Sequence, residues 1–105
     1  MTENLESLSE EILGLSTKSK QMNKVIEELC ELARAVSRYN NDPYNSDNVN
    51  NLFEEFVDVE VVMNELSSML INDYGLDQYD YMMNLWNKTK EDELKLVVEK
   101  LKLEQ

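Results

Sequence analysis

The sequence predicts an all-α fold, a bundle of about four or five helices. Only two glycines and one proline occur in 105 residues, too few for the turns of a β-rich fold. Leucine, glutamate, methionine and lysine, which favour helices, are plentiful. Apolar residues also recur at the i, i+3, i+4, i+7 spacing of one helical face. We therefore expect one helical domain spanning residues 1–105.

The first half of the chain predicts two helices and a loop. An amphipathic pattern over residues 1–15 indicates a short N-terminal helix. A second helix is expected from Thr17 to about Tyr39. Its apolar face would comprise Met22, Val25, Ile26, Leu29, Ala33 and Val36. Residues 40–50, which are rich in Asn and Asp and include the only proline, are typical of a loop.

The second half predicts a third helix over residues 51–73, which Gly75 ends. Its apolar face would comprise Leu52, Phe56, Val59, Met63, Leu66 and Leu70. A fourth helical region is expected over residues 77–103. The polar stretch 87–92 indicates a break in this region, where Thr89 would cap a fifth helix.

The charge of the chain restricts its partners. The net charge is −12, from 22 acidic and 10 basic residues. A protein with this much negative charge repels phosphate backbones. We therefore expect no nucleic-acid polymer as a partner. The same charge attracts Mg²⁺, and a small phosphorylated ligand that arrives with its metal remains compatible.

The histidine and cysteine content of the chain excludes several kinds of functional site. The absence of histidine excludes Ser–His and Cys–His catalysis and most zinc sites. Cys30 is the only cysteine, so the chain forms no internal disulfide, and we expect it to be a small buried side chain. We find no signal peptide and no apolar run of about 18 residues. A cytoplasmic protein without a membrane partner is therefore expected.

Two acidic pairs with i, i+3 spacing stand out because they fall beside apolar residues. Glu55 lies inside the apolar arc of the third helix, and Asp58 lies at the edge of that arc. Glu28 lies on the flank of the second helix, with Glu31 beside it. A carboxylate turned toward a core is costly unless it is paired or binds a metal.

These four carboxylates predict a metal site between two helices. Residues three apart project to the same side of a helix, so two packed helices would surround one small volume with carboxylates. Ligation by oxygen alone suits Mg²⁺, with Mn²⁺ as a substitute, better than zinc or copper. The alternative is an ordinary salt bridge from Glu55 to Lys24, Arg34 or Arg38.

The two acidic segments also resemble the paired motifs of a known enzyme family. Residues 21–32, QMNKVIEELCEL, are similar to the EExxEL segment of the MazG-like all-α nucleoside triphosphate pyrophosphohydrolases. Residues 54–59, EEFVDV, resemble the second motif of that family, EExxDV, and follow after a similar loop. The resemblance covers residues 21–70.

The resemblance implies a helical hydrolase that cleaves an NTP or dNTP to the monophosphate and pyrophosphate. Members bind Mg²⁺ at their catalytic centre through carboxylates that correspond here to Glu28, Glu31, Glu55 and Asp58. Members often carry a lysine followed three residues later by an arginine. Lys88 matches the lysine and would contact phosphate, or is simply solvated, whereas Glu91 stands at the arginine position. A homodimer or homotetramer is also implied.

Other assignments remain open at the level of sequence. Glu27 or Glu54, next to the ligand pairs, would accept a proton from the attacking water. Three aromatic residues either stack on a nucleobase or pack in a core or interface: Tyr79, Tyr81 and Trp86. The chain could instead be a non-catalytic helical interaction protein that keeps the same fold. An acidic mimic of nucleic acid is disfavoured, because its carboxylates would be solvated rather than turned inward.

Overall fold

The computed structural model describes all 105 residues and contains four α-helices and no strand. The helices are α1 (Glu3–Leu15), α2 (Lys18–Asn41), α3 (Ser46–Tyr74) and α4 (Leu76–Leu103). The predicted all-α class is confirmed. The chain divides into two compact units, Met1–Met69 and Leu70–Gln105. None of the four helices is both long enough and apolar enough to cross a membrane.

Threonine side chains begin the first two helices. The Thr2 hydroxyl accepts a hydrogen bond from the Leu5 backbone N–H at 3.1 Å, and the Thr17 hydroxyl accepts one from Lys20 N–H at 3.2 Å. Both threonines have extended backbone, as an N-cap residue requires. Each such cap contributes about 1 kcal/mol. The predicted starts of both helices are therefore correct to within two residues.

The loop predicted over residues 40–50 is shorter than expected. The second helix ends at Asn41 and the third begins at Ser46. The Asn45 side-chain oxygen accepts a hydrogen bond from Asp47 N–H at 2.9 Å, beside the first turn of α3. The Asn48 amide donates to the carbonyl of Arg38 at 3.4 Å. Polar residues that suggested a loop therefore form hydrogen bonds with backbone groups at two helix ends. Composition alone does not distinguish this role from that of a loop residue.

The fourth helix is continuous, so the predicted break over residues 87–92 is wrong. The Thr89 hydroxyl donates to the Leu85 carbonyl at 2.9 Å, which is a bond within a helix rather than a cap. Ion pairs between Lys88 and Asp92 and between Lys90 and Glu93 connect successive turns. The polar residues therefore stabilise an exposed helix instead of ending it.

Gly75 ends α3 as predicted. Its backbone has φ of 88°, a region that residues with a Cβ rarely adopt. Its N–H donates to the Ile71 carbonyl at 2.7 Å, and its own carbonyl accepts from Tyr79 N–H at 3.0 Å. The same glycine thus serves the last turn of α3 and the first turn of α4.

The core of the first unit is small and unusually polar. Val25, Val62 and Met69 form its apolar cluster, with Leu13 and Leu66 packed against them. Four polar residues are equally buried: Ser9, Gln21, Glu28 and Glu65. A core in which polar side chains are as numerous as apolar ones must satisfy them by hydrogen bonds or by ligands.

The stripe that faces this core differs from the predicted apolar faces. On α2 the buried residues are Gln21, Val25, Glu28 and Ala35, and on α3 they are Val62, Glu65 and Met69. Most of the predicted apolar side chains are exposed instead: Met22, Ile26, Leu29, Ala33, Val36, Phe56, Met63 and Leu70. The buried stripe of α2 is rotated by one residue, about 100°, from the predicted face. Polar residues thus occupy the inward side of these helices.

Candidate metal centre

Helices α2 and α3 bring the predicted carboxylates together. Glu28, Glu31 and Glu55 each offer an oxygen, and these oxygens lie within 4.8 Å of one another. Glu54, Glu55 and Asp58 form a second group with the same property. Glu55 belongs to both groups and therefore joins all four predicted positions. We call Glu28, Glu31, Glu55 and Asp58 the acidic cluster.

Burial within the acidic cluster differs from the sequence prediction. Glu28, placed on a flank by the sequence pattern, is the most buried member, with 5% of its surface exposed. Glu31, Glu55 and Asp58 are half-buried. The reason is the rotated stripe of α2, because Glu28 follows the buried Val25 by three residues and so faces the same way.

One lysine partly compensates the acidic cluster. Lys24 Nζ lies 2.7 Å from Glu28 Oε1 and 3.9 Å from a carboxylate oxygen of Glu27. The Glu28 carboxylate raises the pKa of Lys24 by this hydrogen bond and by its charge. Glu55 forms no ion pair with Lys24, Arg34 or Arg38, so the ordinary salt bridge considered as an alternative is absent.

Burial and acidic neighbours dominate the electrostatics of Glu55. Loss of hydration raises its pKa above the ordinary value of 4.5, and the negative charges of Glu31, Asp58 and Glu28 raise it further. Glu28 Oε2 and Glu55 Oε2 are both buried and accept no hydrogen bond. The ionised cluster is therefore unfavourable by itself, and a cation would be strongly attracted to it.

The donor set fits a hard divalent cation. Every available ligand atom is a carboxylate oxygen, which Mg²⁺ and Mn²⁺ accept readily. The carboxylate oxygens within each group lie within 4.8 Å of one another, a spacing that one ion could span. The two buried oxygens without partners are the atoms that such a cation would satisfy.

A pocket that contains both arginines of the chain shares Glu31 and Glu55 with the acidic cluster and was not predicted from sequence. Its volume is about 280 Å³, and Glu31, Arg34, Arg38, Asn51 and Glu55 line it. The chain contains no arginine besides these two, and neither guanidinium forms an ion pair. The sequence could have indicated this pocket, since Arg34 follows Glu31 by three residues and so projects to the same side of α2. We call this the arginine pocket.

A second, larger cavity lies on another side of the acidic cluster. Its volume is about 660 Å³, and its wall includes Glu28 and Asp58 together with the buried Gln21 and Glu65. Burial raises the pKa of Glu65, although a hydrogen bond with Ser9 and the charge of Lys24 oppose this effect. We call it the α1–α2–α3 cavity, because all three helices contribute to its wall.

The other predicted residues belong to the second unit or differ from the prediction in burial. Lys88 belongs to the second unit, is exposed and pairs with Asp92 at 3.2 Å. Tyr81 and Trp86 are exposed on the same unit, and Tyr79 is half-buried there. Cys30 is exposed, so its predicted burial is wrong. The cause is again the rotation of α2, whose inward stripe includes Glu28 and Ala35 but not position 30.

Comparison with known proteins identifies no relative. No protein-family model matches this chain, and neither a curated protein nor a solved structure matches it.

Proposed function

We propose that the protein is a Mg²⁺-dependent pyrophosphohydrolase that cleaves nucleoside or deoxynucleoside triphosphates to the monophosphate and pyrophosphate. One observation carries the proposal: the clustered carboxylates lie beside the only two arginines of the chain, and neither arginine forms an ion pair with them. A metal–phosphate ligand satisfies both, because it presents a divalent cation and several phosphate oxygens together. The EExxEL and EExxDV motifs favour the same function.

The proposed roles follow from the position of each side chain. Glu28, Glu31, Glu55 and Asp58 would hold Mg²⁺, which supplies electrostatic polarisation of the phosphate oxygens when bound. Arg34 and Arg38 would bind the phosphate chain through their guanidinium N–H groups. These positive charges are essential to a protein of net charge −12, since a triphosphate would otherwise be repelled.

Glu54 is the better of the two predicted proton acceptors. It is exposed, and its carboxylate lies within 4.8 Å of those of Glu55 and Asp58, whereas Glu27 is outside both groups and lies near Lys24. In the proposed reaction a water oxygen bonds to the α-phosphorus, and the bond from that phosphorus to the α–β bridging oxygen breaks. The bridging oxygen leaves with its electron pair as pyrophosphate. The proton of the water passes to Glu54.

The test is pyrophosphate release from a panel of NTPs and dNTPs in the presence of Mg²⁺ or Mn²⁺. We expect metal-dependent release that a Glu55→Gln variant lacks. A folded protein that releases no pyrophosphate from any member of the panel would contradict the proposal.

The arginine pocket gives a prediction of its own. Replacing Arg34 and Arg38 together by alanine should raise KM for the triphosphate by about tenfold or more, because each guanidinium loses charge-assisted hydrogen bonds to phosphate. Replacement by lysine should restore part of the loss, since charge returns without the planar pair of donors. Steady-state kinetics measure both effects. Lys100→Ala, which removes an exposed charge on α4, serves as the control. Equal KM values for the double alanine variant and the control would exclude a phosphate role.

We also propose that the protein is a homodimer or homotetramer. Large hydrophobic side chains are exposed at 28 positions, whereas only four apolar residues are buried. So small a core stabilises a chain of this length poorly unless further apolar surface is covered. The exposed apolar residues include Ile26 and Val36 on α2 and Phe53 and Phe56 on α3. Since α2 and α3 also carry the acidic cluster, a second copy would cover the helices that form the site.

Sedimentation equilibrium should therefore give a mass of two or four chains at micromolar concentration. Phe53→Glu should lower that mass, because it places a charge on an apolar face that a second copy covers. Tyr44→Glu is the matched control, as Tyr44 is an isolated aromatic residue in the α2–α3 loop and is 96% exposed. A wild-type protein with the mass of one chain would contradict the proposed assembly.

A non-catalytic helical interaction protein is the second candidate function. It is favoured by α4, which has no buried residue and exposes Leu94, Val97, Val98 and Leu101. Lys88, expected at a phosphate, is instead paired with Asp92. The acidic cluster opposes this candidate, because a binding module gains nothing from carboxylates that repel one another. The nucleotide panel separates the two functions.

A further inference from the structure

The α1–α2–α3 cavity has the size and wall composition of a small-molecule site. Its volume of about 660 Å³ falls within the range of roughly 300–1,000 Å³ that ligand pockets occupy. Leu5, Ile12, Val61 and Val62 supply apolar surface on its wall. Such a wall, with a few placed polar groups, suits the flat apolar faces and polar edge of a heterocyclic base.

Three buried polar residues on the wall of this cavity each keep one side-chain oxygen without a hydrogen-bond partner. Gln21, Glu28 and Glu65 are exposed over 8%, 5% and 3% of their surfaces. Each has one buried side-chain oxygen that accepts no hydrogen bond: Gln21 Oε1, Glu28 Oε2 and Glu65 Oε2. Leaving a buried acceptor unsatisfied costs about 1–3 kcal/mol. Glu28 Oε2 belongs to the candidate metal centre, whereas Gln21 Oε1 and Glu65 Oε2 belong to this cavity alone and indicate a ligand that supplies the missing donors.

Gln21 Oε1 and Glu65 Oε2 are both hydrogen-bond acceptors, and this restricts the chemistry of the ligand. The two lysines on the same wall do not supply the donors: Lys24 is committed to Glu28 at 2.7 Å, and Lys20 is exposed. A group that binds among these oxygens must present N–H or O–H bonds, and a carbonyl edge would face them unfavourably.

We propose that the α1–α2–α3 cavity binds the base of the nucleotide and selects an amino-bearing base over one that carries a carbonyl at the same position. The inference rests on the proposed function for the identity of the ligand as a nucleotide. Glu28 and Asp58 belong both to this cavity and to the acidic cluster. A base in the cavity would therefore be joined to phosphates that extend toward the cluster and the arginine pocket.

Glu65 is the residue that distinguishes the bases, and Gln21 assists it. Glu65 is the most buried of the three and lies seven residues after Asp58, on the same side of α3. Its carboxylate accepts hydrogen bonds from an exocyclic amino group but cannot donate one to a carbonyl while it is ionised. A carboxylate that accepts from the cytosine amino group is a known form of base recognition.

The experiment measures binding of two pairs of nucleoside monophosphates to the full chain by NMR titration without metal. CMP differs from UMP, and AMP from IMP, by an amino group in place of a carbonyl, while the phosphate and sugar are unchanged within each pair. We expect CMP to bind about tenfold more tightly than UMP, and AMP more tightly than IMP. Glu65→Gln, which keeps the side-chain volume, should reduce the preference for CMP to less than about threefold. Glu60→Gln, an exposed position on α3, should leave it unchanged.

Each outcome decides the inference separately from the proposed activity. Selective binding in a protein that releases no pyrophosphate would support the base site and refute the hydrolase. Equal affinities within both pairs would overturn the base site, even in an active enzyme. Preference for UMP would also overturn it, because a protonated Glu65 would then be donating to the carbonyl. Absence of binding by all four monophosphates at millimolar concentration would also overturn the base site, because water alone would then satisfy Gln21 Oε1 and Glu65 Oε2.

Discussion

Glu55→Gln should lower metal-dependent pyrophosphate release by at least about a hundredfold. Loss of a residue that only orients a metal ligand lowers metal affinity or activity by roughly 10–100-fold. Glu55 is itself a proposed ligand and belongs to both groups of carboxylates, so its loss should lower activity by the upper value or more. Glutamine keeps the size of the side chain and one oxygen but lacks the negative charge. The measurement is the initial rate at saturating Mg²⁺.

The same substitution should make the metal-free protein more stable. The pKa of Glu55 is raised in the folded state, so the folded protein binds more protons than the unfolded chain above pH 4.5. Stability therefore falls as pH rises from about 4.5 through the raised pKa, and the ionised residue remains unfavourable at neutral pH. Glutamine removes that loss. Thermal unfolding with EDTA should give a higher Tm for the variant at pH 7 and a smaller difference at pH 4.

Mg²⁺ should reverse the order of stability. Adding the metal should raise the Tm of the wild type, because a ligand that binds only the folded state stabilises it, and should have little effect on the variant. Glu11→Gln, an exposed position on α1, is the control for removing one charge from an acidic chain. A Glu55→Gln protein that is less stable than the wild type in EDTA would contradict this account of the acidic cluster.

Lys24→Met should lower the free energy of unfolding by about 1–3 kcal/mol. The substitution leaves the buried Glu28 carboxylate without its 2.7 Å partner while keeping the apolar stem of the lysine. Removing one partner of a fully buried pair costs about 3–5 kcal/mol. The smaller value applies here because half of the Lys24 side chain is exposed. Urea unfolding in EDTA at a fixed protein concentration measures the effect.

A double-mutant cycle with Glu28→Gln separates the ion pair from other effects of the lysine. In the Glu28→Gln background, Lys24→Met should have a much smaller effect, because no buried charge remains to be compensated. Lys20→Met, one turn earlier and exposed, should change stability by less than about 0.5 kcal/mol. Equal losses for Lys24→Met and Lys20→Met would show that the Glu28 ion pair contributes little.

The helices illustrate how far local sequence information extends. Thr2, Thr17 and Gly75 lie at the predicted helix boundaries, because capping depends on residues within one turn. Asn45 and Asn48 were assigned to a loop for the same compositional reason that makes them good partners for helix ends. Thr89 was expected to cap a helix and instead bonds within one. Residues that cap helices can thus be predicted from sequence, but the hydrogen-bond partner of a polar side chain cannot.

The acidic cluster was predictable for a different reason. Two pairs with i, i+3 spacing project to one side of each helix whatever the remainder of the fold, and only the packing of α2 against α3 was needed to join them. The arginine pocket was not predicted, because Arg34 and Arg38 stand out only by forming no ion pair. That property depends on tertiary contacts. Glu65 was not predicted, because a single acidic residue on a helix carries no pattern.

The sequence by itself determined the helical class, the boundaries fixed by capping threonines and Gly75, and the four carboxylate positions. All of these follow from interactions within a turn or two of one helix. Only the tertiary structure decided which stripe of α2 faces inward, and with it the burial of Gln21 and Glu28 and the exposure of Cys30. The physical reason is that a rotation of about 100° leaves local helical bonding unchanged and alters every contact between helices. The unsatisfied oxygens of the α1–α2–α3 cavity arise from those contacts and are therefore visible only once the helices are packed.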